Sequence, residues 1–565
     1  MAGLIDGRAE ACSNLPFLVP AWFDWSRGSG QYSATCFNCC SALTARAILG
    51  RACSDPAGSG PQLKVTDLAR SRDVSPRELL QDAELLRQQG KLDRAETIAY
   101  SLVRRHPGYV AALHTLGLVY LDKGDYERAL DCLVRASMLD PANWMTLTAL
   151  SLAYLRLGAS EMAALTLDKA LAIRPRDASI LSSLGEIHRE EREYELAKQA
   201  YTQALSLDPY METPAAGLAL CLSSLGQSVE AAKVLGDAYT RGIRTLRLLQ
   251  VMTTLPPGLV RVDILGALDQ LVASGNPSDP AARNSFQFAW AAALDAAGRH
   301  AGAWETLVAA NRPLAVEYQV ELKANIARRK KSLARLRAAS GASQRAEGGG
   351  QTVSLFILGP SRSGKTTLER LVGLLEGVKL GCEVPVVENA LRRTFQAAAI
   401  PTSNRLEDLP ALLLPSFREM YREDLARRAG QARLFTNTLP GHIHNTALLA
   451  SAIPNARFLL VKRDPDDVAW RIFLTKYLGG NSYAYDLKAI RDYLDWYNEM
   501  IDLTAEKLPD ITQVVSYEAM VDDPATTLRS AARLCGISII DRAVPLLPND
   551  RGCATPYREF LRLQR

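Results

Sequence analysis

The strongest constraint on the fold is a 34-residue period that runs through the first half of the chain. A glycine series follows this period and consists of Gly90, Gly124, Gly158 and Gly226, with Arg192 at its gap. Parallel series consist of Ala95, Ala129, Ala163, Ala197 and Ala231, and of Pro107, Pro141, Pro175 and Pro209. Glycine ending one helix, alanine where two helices touch and proline before the next repeat predict stacked helical hairpins.

Residues 76–245 therefore resemble tetratricopeptide repeats, and Leu116, Gly117 and Tyr120 complete that pattern in the second repeat. Stacked hairpins bury a continuous core and curve into a concave surface. That surface could hold a peptide or another acceptor molecule, or it could support the next domain. Beyond residue 245 the pattern weakens, but Gly298 and Ala303 keep the glycine-to-alanine offset. We expect degenerate helical repeats and a linking helix over residues 246–340, with the basic cluster at 328–331 on a solvated helix face.

The first 75 residues lack helical or strand periodicity, and glycine, serine and proline interrupt them throughout. We predict a poorly ordered segment there. Cys36 and Cys39 form a single C-x-x-C pair without a second pair at zinc spacing, so we expect free thiols and no metal site. The apolar run LPFLVPAWF is short and contains two prolines, which argues against a membrane span. We expect a cytoplasmic protein with reduced cysteines.

Charge does not point to a polyanionic partner. The chain carries 66 basic and 61 acidic residues, for a net charge of +5. Such a balanced surface gives no basis for binding nucleic acid or a membrane, so any basic site must be local.

The second domain, residues 352–565, follows a Gly/Ser-rich linker at 341–351 and opens with a phosphate-binding pattern. A strand-like run at 355–358 leads into a glycine- and serine-rich loop and then a helix-like run, LERLVGLLE. Backbone N–H groups in such a loop and the positive end of the helix dipole attract phosphate or sulfate. Read literally, GPSRSGKT also matches the nucleotide-binding P-loop, which would place Lys365 and Thr366 against Mg-ATP.

Strand-like and helix-like segments alternate through the rest of this domain. The segments RLFTNTLP, ARFLLVKRD and ITQVVSYEAM have strand character, and LKAIRDYLDWYNEMIDLTAEKL is an amphipathic helix. Alternating β and α units predict a mostly parallel sheet that binds ligands at its carboxyl edge. The predicted architecture is therefore multidomain: an all-α repeat solenoid followed by an α/β P-loop-like domain.

The motif order over about residues 76–540 resembles bacterial tetratricopeptide-repeat sulfotransferases, whose catalytic domain is similar to tyrosylprotein sulfotransferase. The resemblance rests on the repeats, GRHAGAWETLVAANR, GPSRSGKTTLER, PNARFLLVKRDPDDVAWRIF and VVSYEAMVDDP. It implies the sulfotransferase fold and the donor 3′-phosphoadenosine-5′-phosphosulfate (PAPS), with no metal required. The acceptor remains open among peptide tyrosine, glycan and small-molecule hydroxyls.

The resemblance also implies roles for individual residues. Arg362 would balance charge on the sulfuryl group, and Glu383 would be the general base that takes the acceptor proton. The donor-binding residues implied by the family motifs are Ser361, Arg362, Ser363, Gly364, Lys365, Thr366, Thr367, Arg463, Arg471 and Tyr517. Arg463 would hold the 3′-phosphate, with a salt bridge to Asp464 or Asp467 as the alternative, and Tyr517 could instead be a buried aromatic.

Three departures from the family pattern leave other functions open. Lys365 and Arg471 replace a threonine and a serine, and Thr438 replaces a lysine expected near the sulfuryl group. We interpret the nearby His442 and His444 as polar loop residues. The alternatives are a P-loop kinase or NTPase that uses Lys365 and Mg-ATP, and an interaction protein with a vestigial transferase domain.

Overall fold

The computed structural model describes residues 75–256, 258–273, 279–339, 352–453, 455–477, 479–538, 544–547 and 549–563. The predictions for residues 1–74, including Cys36 and Cys39, and for the linker at 341–351 fall outside these ranges. Within them, no helix is both long enough and apolar enough to cross a membrane.

The repeat region is a series of antiparallel helix pairs, as the 34-residue period predicts. Its helices are α1 (Pro76–Gln88), α2 (Leu92–Arg105), α3 (Val110–Lys123), α4 (Tyr126–Leu139), α5 (Trp144–Arg156), α6 (Ser160–Ile173), α7 (Ala178–Glu190), α8 (Tyr194–Leu207), α9 (Glu212–Ser224) and α10 (Ser228–Thr240). The alanines of the series are fully buried where the helices touch. The prediction of a helical hairpin solenoid is confirmed.

The turn between the helices of each pair requires a left-handed backbone, which explains the glycine series. Gly90, Gly124, Gly158 and Gly226 have φ between 72° and 83°. Glycine accepts this conformation without a Cβ clash. Arg192 occupies the same position with φ 62°, although it carries a side chain.

The region that follows the repeats remains helical. It contains α11 (Leu246–Thr253), α12 (Ile264–Ala273), the long hairpin α13 (Pro280–Ala296) and α14 (His300–Glu317), and α15 (Gln319–Ala338). The hairpin α13–α14 and the helix α15 lie within residues 246–340, the span for which degenerate helical repeats and a linking helix are expected.

The prediction that the basic cluster at 328–331 lies on a solvated face of α15 is wrong for Arg329. Its side chain is buried, and its guanidinium lies 4.9 Å from the ring centroid of Tyr493 and 5.8 Å from that of Trp496. Cation–π attraction to these rings compensates for the water that the arginine loses. Lys330 and Lys331 are exposed, as predicted.

The second domain has the predicted parallel sheet, in the strand order β2-β3-β1-β4-β5. The strands are β1 (Val353–Leu358), β2 (Val378–Lys379), β3 (Leu434–Asn437), β4 (Ala456–Lys462) and β5 (Thr512–Ser516). The helices are α16 (Lys365–Val372), α17 (Val386–Ala397), α18 (Leu414–Ala429), α19 (Thr446–Ala452), α20 (Pro465–Phe473), α21 (Leu487–Lys507), α22 (Tyr517–Asp522), α23 (Pro524–Cys535) and α24 (Arg558–Leu563). Short 3₁₀ turns cover Leu406–Asp408, Ala411–Leu413, Pro440–Asn445, Pro509–Ile511 and Thr555–Tyr557.

Both faces of the sheet are covered, because alternate side chains of each strand point to opposite sides. On β1, Phe356 and Leu358 belong to one buried cluster, whereas Leu355 and Ile357 belong to another. This burial on two sides explains the continuous apolar runs of the central strands. The carboxyl ends of β1 and β4 lie side by side, so the loops that follow them share one edge of the sheet.

The first of these clusters also includes the last helical hairpin. Trp304 of α14 stacks on Trp470 of α20, with ring centroids 6.3 Å apart, and Trp470 stacks on Tyr557 at 3.5 Å. The Tyr557 hydroxyl donates to Asp295 Oδ1 at 2.6 Å. One hydrophobic core is therefore continuous from the hairpin at 280–317 into the α/β domain.

Candidate active site

The loop after β1 is shaped by two glycines that leave room for close packing. A Cβ atom at Gly359 would lie 2.4 Å from Ser363 Oγ and 3.0 Å from the Val461 carbonyl oxygen. Gly364 has φ 98°, and a Cβ there would lie 2.4 Å from the ring of Tyr517. The loop therefore packs tightly between β4 and Tyr517, and α16 begins immediately after it with its N-terminus at the sheet edge.

Two polar groups inside this loop lack a charged partner. The Ser363 hydroxyl is fully buried and makes no hydrogen bond to any described residue. The Lys365 ammonium is buried, and its one hydrogen bond to a described residue goes to the neutral Pro360 carbonyl, at 3.0 Å. Burial lowers the pKa of Lys365 to about 8. Glu383 and Glu369 act on Lys365 electrostatically, but neither outweighs the burial of its ammonium. A buried cation that forms no direct ion pair with a described residue, next to a buried hydroxyl without a hydrogen bond, fits a bound anion.

Arg463 follows the end of β4 and lies against the same loop. Its Nη1 donates to the backbone oxygen of Arg362 at 3.2 Å, and its guanidinium lies 4.2 Å from the centroid of the Tyr517 ring. Its side chain is almost completely buried. The structure thus brings together Arg362, Arg463 and Tyr517, which are far apart in the sequence.

A carboxylate from the C-terminal segment lies among these residues. Asp550 pairs with Arg463 at 3.0 Å and with Arg471 at 3.1 Å, and it accepts a hydrogen bond from the Tyr517 hydroxyl. Burial alone would raise the pKa of Asp550, but Tyr517 and the two arginines outweigh that effect and lower it. Arg463 lies more weakly against Asp467, at 3.6 Å. The Asp464 carboxylate instead accepts from the N–H groups of Asp466 and Asp467 and caps α20.

Glu383 lies in the turn between β2 and α17, which α16 and β3 hold in place. The buried Glu369 carboxylate accepts from the Cys382 N–H at 2.8 Å and from the Thr436 hydroxyl. Burial raises the pKa of Glu369. Glu383 itself is half-buried, and its Oε2 accepts from Arg192 Nη2 at 3.0 Å. The carboxylate is therefore contacted from the repeat region.

The other residues of interest lie around the same edge of the sheet. The Ser361 hydroxyl lies 2.8 Å from the Tyr477 hydroxyl, Thr366 is exposed and Thr367 is half-buried. Thr438 is buried, and its N–H donates to the Cys382 carbonyl at 2.7 Å, so it adjoins the turn that carries Glu383.

The two histidines, which we interpreted from the sequence as polar loop residues, have partners in the interior. His442 is buried, and its Nε2 lies 3.1 Å from Glu388 Oε1. His444 Nδ1 lies 3.0 Å from the Ser332 hydroxyl, and burial lowers the pKa of His444 to about 3. These contacts indicate structural roles behind the sheet edge.

Sequence reasoning missed Glu369, Thr436 and Asp550. Glu369 could have been noticed, because it shares the buried face of α16 with Leu368 and Val372, where an acid needs a partner. Asp550 had no such signal, since the segment around it lacks periodicity. Arg192 was visible as the gap in the glycine series, but nothing in the sequence pointed from it to Glu383.

Comparison with known proteins defines the class. Residues 354–541 match the sulfotransferase family, and residues 110–143 and 178–210 match tetratricopeptide repeats. The chain is therefore a tetratricopeptide-repeat protein that carries a sulfotransferase-family domain.

Its curated relatives are distant. The chain is 23% identical over 211 residues to an uncharacterized protein of Aquifex aeolicus (strain VF5), which covers 36% of this chain and 28% of the relative. It is 24% identical over 196 residues to protein-tyrosine sulfotransferase 2 of Gallus gallus, which covers 33% of this chain and 52% of that enzyme. The chain thus spans about half of the Gallus gallus protein and less of the other.

Solved structures with similarity to the chain include three bacterial proteins. TTC0263, a tetratricopeptide-repeat protein of Thermus thermophilus, is 24% identical with a TM-score of 0.29 and covers 34% of this chain and 99% of its own. PilF of Pseudomonas aeruginosa is 18% identical with a TM-score of 0.31, and the match covers 38% of this chain and 96% of PilF. MamA of Desulfovibrio magneticus RS-1 is 19% identical with a TM-score of 0.27, and the match covers 29% of this chain and 93% of MamA.

Proposed function

We propose that this protein transfers a sulfuryl group from PAPS to an acceptor hydroxyl or amine. The observation that carries the proposal is the contact between Arg463 and the backbone of Arg362. It joins the anion-binding loop after β1 to a buried cation after β4. A nucleotide with anions at both its 5′ and 3′ ends needs two such anchors at one edge of a sheet.

The described residues fit this donor at both ends. The buried Ser363 hydroxyl and Lys365 ammonium lie in the loop that would receive the 5′-phosphosulfate. Arg463, Arg471 and Tyr517 surround Asp550 and would receive the 3′-phosphate. Lys365 also supplies a cation near the turn of Glu383, where Thr438 replaces the lysine of the family pattern.

In the proposed reaction, an acceptor oxygen or nitrogen forms a bond to sulfur as the bond from sulfur to the bridging phosphate oxygen breaks. Adenosine 3′,5′-bisphosphate leaves, and Glu383 takes the acceptor proton. Arg362 and Lys365 would stabilise the negative charge that develops on the bridging oxygen. Arginine and backbone donors can supply this stabilisation without a metal.

The repeat region would position the acceptor, and a cavity in it supports this role. A cavity of about 480 Å³ lies along the first helices of successive repeats. Its lining includes His114 of α3, Trp144 and Leu152 of α5, and Ser183 and Glu186 of α7. The lining is mainly apolar with a few polar groups, which suits part of a peptide or another amphipathic acceptor.

One titration tests the proposal against the two alternatives. Calorimetry should show binding of adenosine 3′,5′-bisphosphate without Mg²⁺ and no Mg²⁺-dependent binding of ATP. Binding of ATP that requires Mg²⁺ would favour a P-loop kinase or NTPase, for which Lys365 is suitably placed. If neither nucleotide binds, the domain is vestigial and the protein serves interactions alone.

The state of the cysteines bears on the cellular compartment, which is also a proposal. The described cysteines are free thiols. We infer a cytoplasmic enzyme whose partner is the acceptor molecule or peptide.

A further inference from the structure

A single ion pair links the repeat region to the candidate general base. Arg192 Nη2 lies 3.0 Å from Glu383 Oε2, and Arg192 Nη1 donates to the Tyr194 hydroxyl at 3.0 Å. The tyrosine contact orients the guanidinium on the repeat side. Among the described residues, no group hydrogen-bonds to the other carboxylate oxygen of Glu383, so that oxygen can meet an acceptor proton.

Arg192 occupies a backbone position that is unfavourable for it. Its φ of 62° matches the turns that hold Gly90, Gly124, Gly158 and Gly226. The hydrogen bond from the following residue to the carbonyl of the preceding helix is also the same, as with Glu193 to His188 and Asp125 to Tyr120. Glycine is the residue that adopts this backbone conformation most easily, and a non-glycine residue in it is strained. The ion pair with Glu383 is a contact that glycine could not make at this position.

The ion pair between Arg192 and Glu383 contributes little to the stability of the fold. The side chains of Arg192 and Glu383 are 41% and 37% exposed, and half-exposed ion pairs add little to stability. Other contacts already hold the helical region against the second domain, one from the repeats and one from the hairpin that follows them. Arg370 donates to the carbonyl oxygens of Ser223 and Ser224, and the Trp304 stack joins the cores.

We propose that Arg192 is a positioning residue that the repeat region supplies to the transferase site. It holds one oxygen of Glu383 and thereby sets the direction of the other. This inference rests on the proposed sulfuryl transfer. The repeats would then do more than bind the acceptor, because the enzyme's base would be aligned only when they are docked.

The same helix that leads to Arg192 lines the proposed acceptor cavity. Ser182, Ser183, Glu186 and Ile187 of α7 face that cavity, and α7 ends at Glu190. An acceptor held along α7 would therefore approach the arginine that orients the base. Acceptor binding and base alignment would depend on one structural element.

The test is Arg192→Gly, which restores the residue that the turn favours. We expect unchanged or higher thermal stability, and an affinity for adenosine 3′,5′-bisphosphate within about twofold of wild type, because the donor anchors are untouched. Turnover should fall by about 10-fold to 100-fold with little change in KM, since misplacing a catalytic group acts on the transition state. The assay uses PAPS with whichever of p-nitrophenol, a tyrosine-containing peptide or an oligosaccharide the wild type sulfates.

Two further variants separate positioning from structure. Arg192→Lys keeps the charge and the strain and should recover part of the turnover, whereas Arg192→Gln should resemble Arg192→Gly. Arg128→Ala removes an exposed arginine elsewhere in the repeats and should leave turnover unchanged.

The outcomes distinguish the two proposals. If the wild type transfers sulfuryl groups and Arg192→Gly does so with the same kcat, the positioning role is wrong and the proposed function stands. If the wild type neither binds the bisphosphate nor sulfates any of the three acceptors, both proposals fall.

Discussion

The Asp550 carboxylate lies 3.0 Å from the Arg463 guanidinium, where the proposed donor would place its 3′-phosphate. In this arrangement an acidic side chain of the protein balances the arginine charge, and a phosphate would compete with it. Asp550→Asn should therefore tighten the binding of adenosine 3′,5′-bisphosphate by about tenfold, measured by calorimetry. Asp522→Asn, which affects the nearby pair with Arg551, is the control. Weaker binding in Asp550→Asn would mean that Asp550 holds the arginines in place for the ligand.

Arg463 should matter for the nucleotide rather than for inorganic anions in general. Arg463→Ala should weaken bisphosphate binding by about 10-fold to 100-fold, because a hydrogen-bonded charge pair is lost. Sulfate binding at the loop after β1 should change far less. Lys462→Ala, which removes the neighbouring cation paired with Asp502, is the matched control. Equal losses for both ligands would contradict the 3′-phosphate role.

Lys365 should make donor binding depend on pH. Burial lowers its pKa to about 8, so its ammonium loses its proton above that pH, while a bound anion favours the protonated form. Affinity for the bisphosphate should fall as pH rises above about 8, and binding at pH about 8.5 should take up protons. Calorimetry in two buffers of different ionisation enthalpy measures this uptake. Lys365→Thr should abolish it and the exposed Lys379→Thr should not; uptake that persists in Lys365→Thr would refute the assignment.

Glu383 should be needed for turnover but not for donor binding. Glu383→Gln keeps the side-chain shape and removes the proton acceptor, so transfer should fall to the assay background while bisphosphate affinity changes less than about threefold. The nearby exposed Glu376→Gln should retain full activity. Turnover that survives in Glu383→Gln would show that another group takes the proton.

Trp304 should stabilise the second domain although it belongs to the helical hairpin. Trp304→Ala removes the ring that stacks on Trp470 and packs against Phe473, and should cost about 3–5 kcal/mol of unfolding free energy. Denaturant unfolding monitored by loss of bisphosphate binding measures the effect. Trp144→Ala, in the repeat cavity, should leave the stability of the nucleotide site unchanged. A wild-type midpoint in Trp304→Ala would argue against a shared core.

The elements with a strong period or a tight loop could be predicted from the sequence. The glycine and alanine series determine the helical hairpins because backbone conformation and close packing leave few alternatives. The apolar runs of β1 and β4 and the glycines at 359 and 364 likewise predict a strand-loop-helix unit at a sheet edge. The placement of Arg463 beside that loop follows from the parallel order of these two strands.

Contacts between distant segments could not be predicted in this way. Asp550 pairs with Arg463 from an aperiodic segment, and Arg329 is buried because Tyr483, Tyr493 and Trp496 fold over it. Charge alone made Arg329 look solvated. The Arg192–Glu383 pair depends on how the repeats dock on the second domain, which no local pattern encodes.

The continuous core has a consequence for how such proteins can be recombined. A junction placed in the linker at 341–351 would separate Trp304 from Trp470 and divide Tyr557 from its acceptor, Asp295. A chimera that exchanges repeat arrays between relatives should therefore be joined upstream of Pro280, so that the hairpin travels with the α/β domain. If such chains arose by gene fusion, the unit inherited intact would be the α/β domain together with α13, α14 and α15.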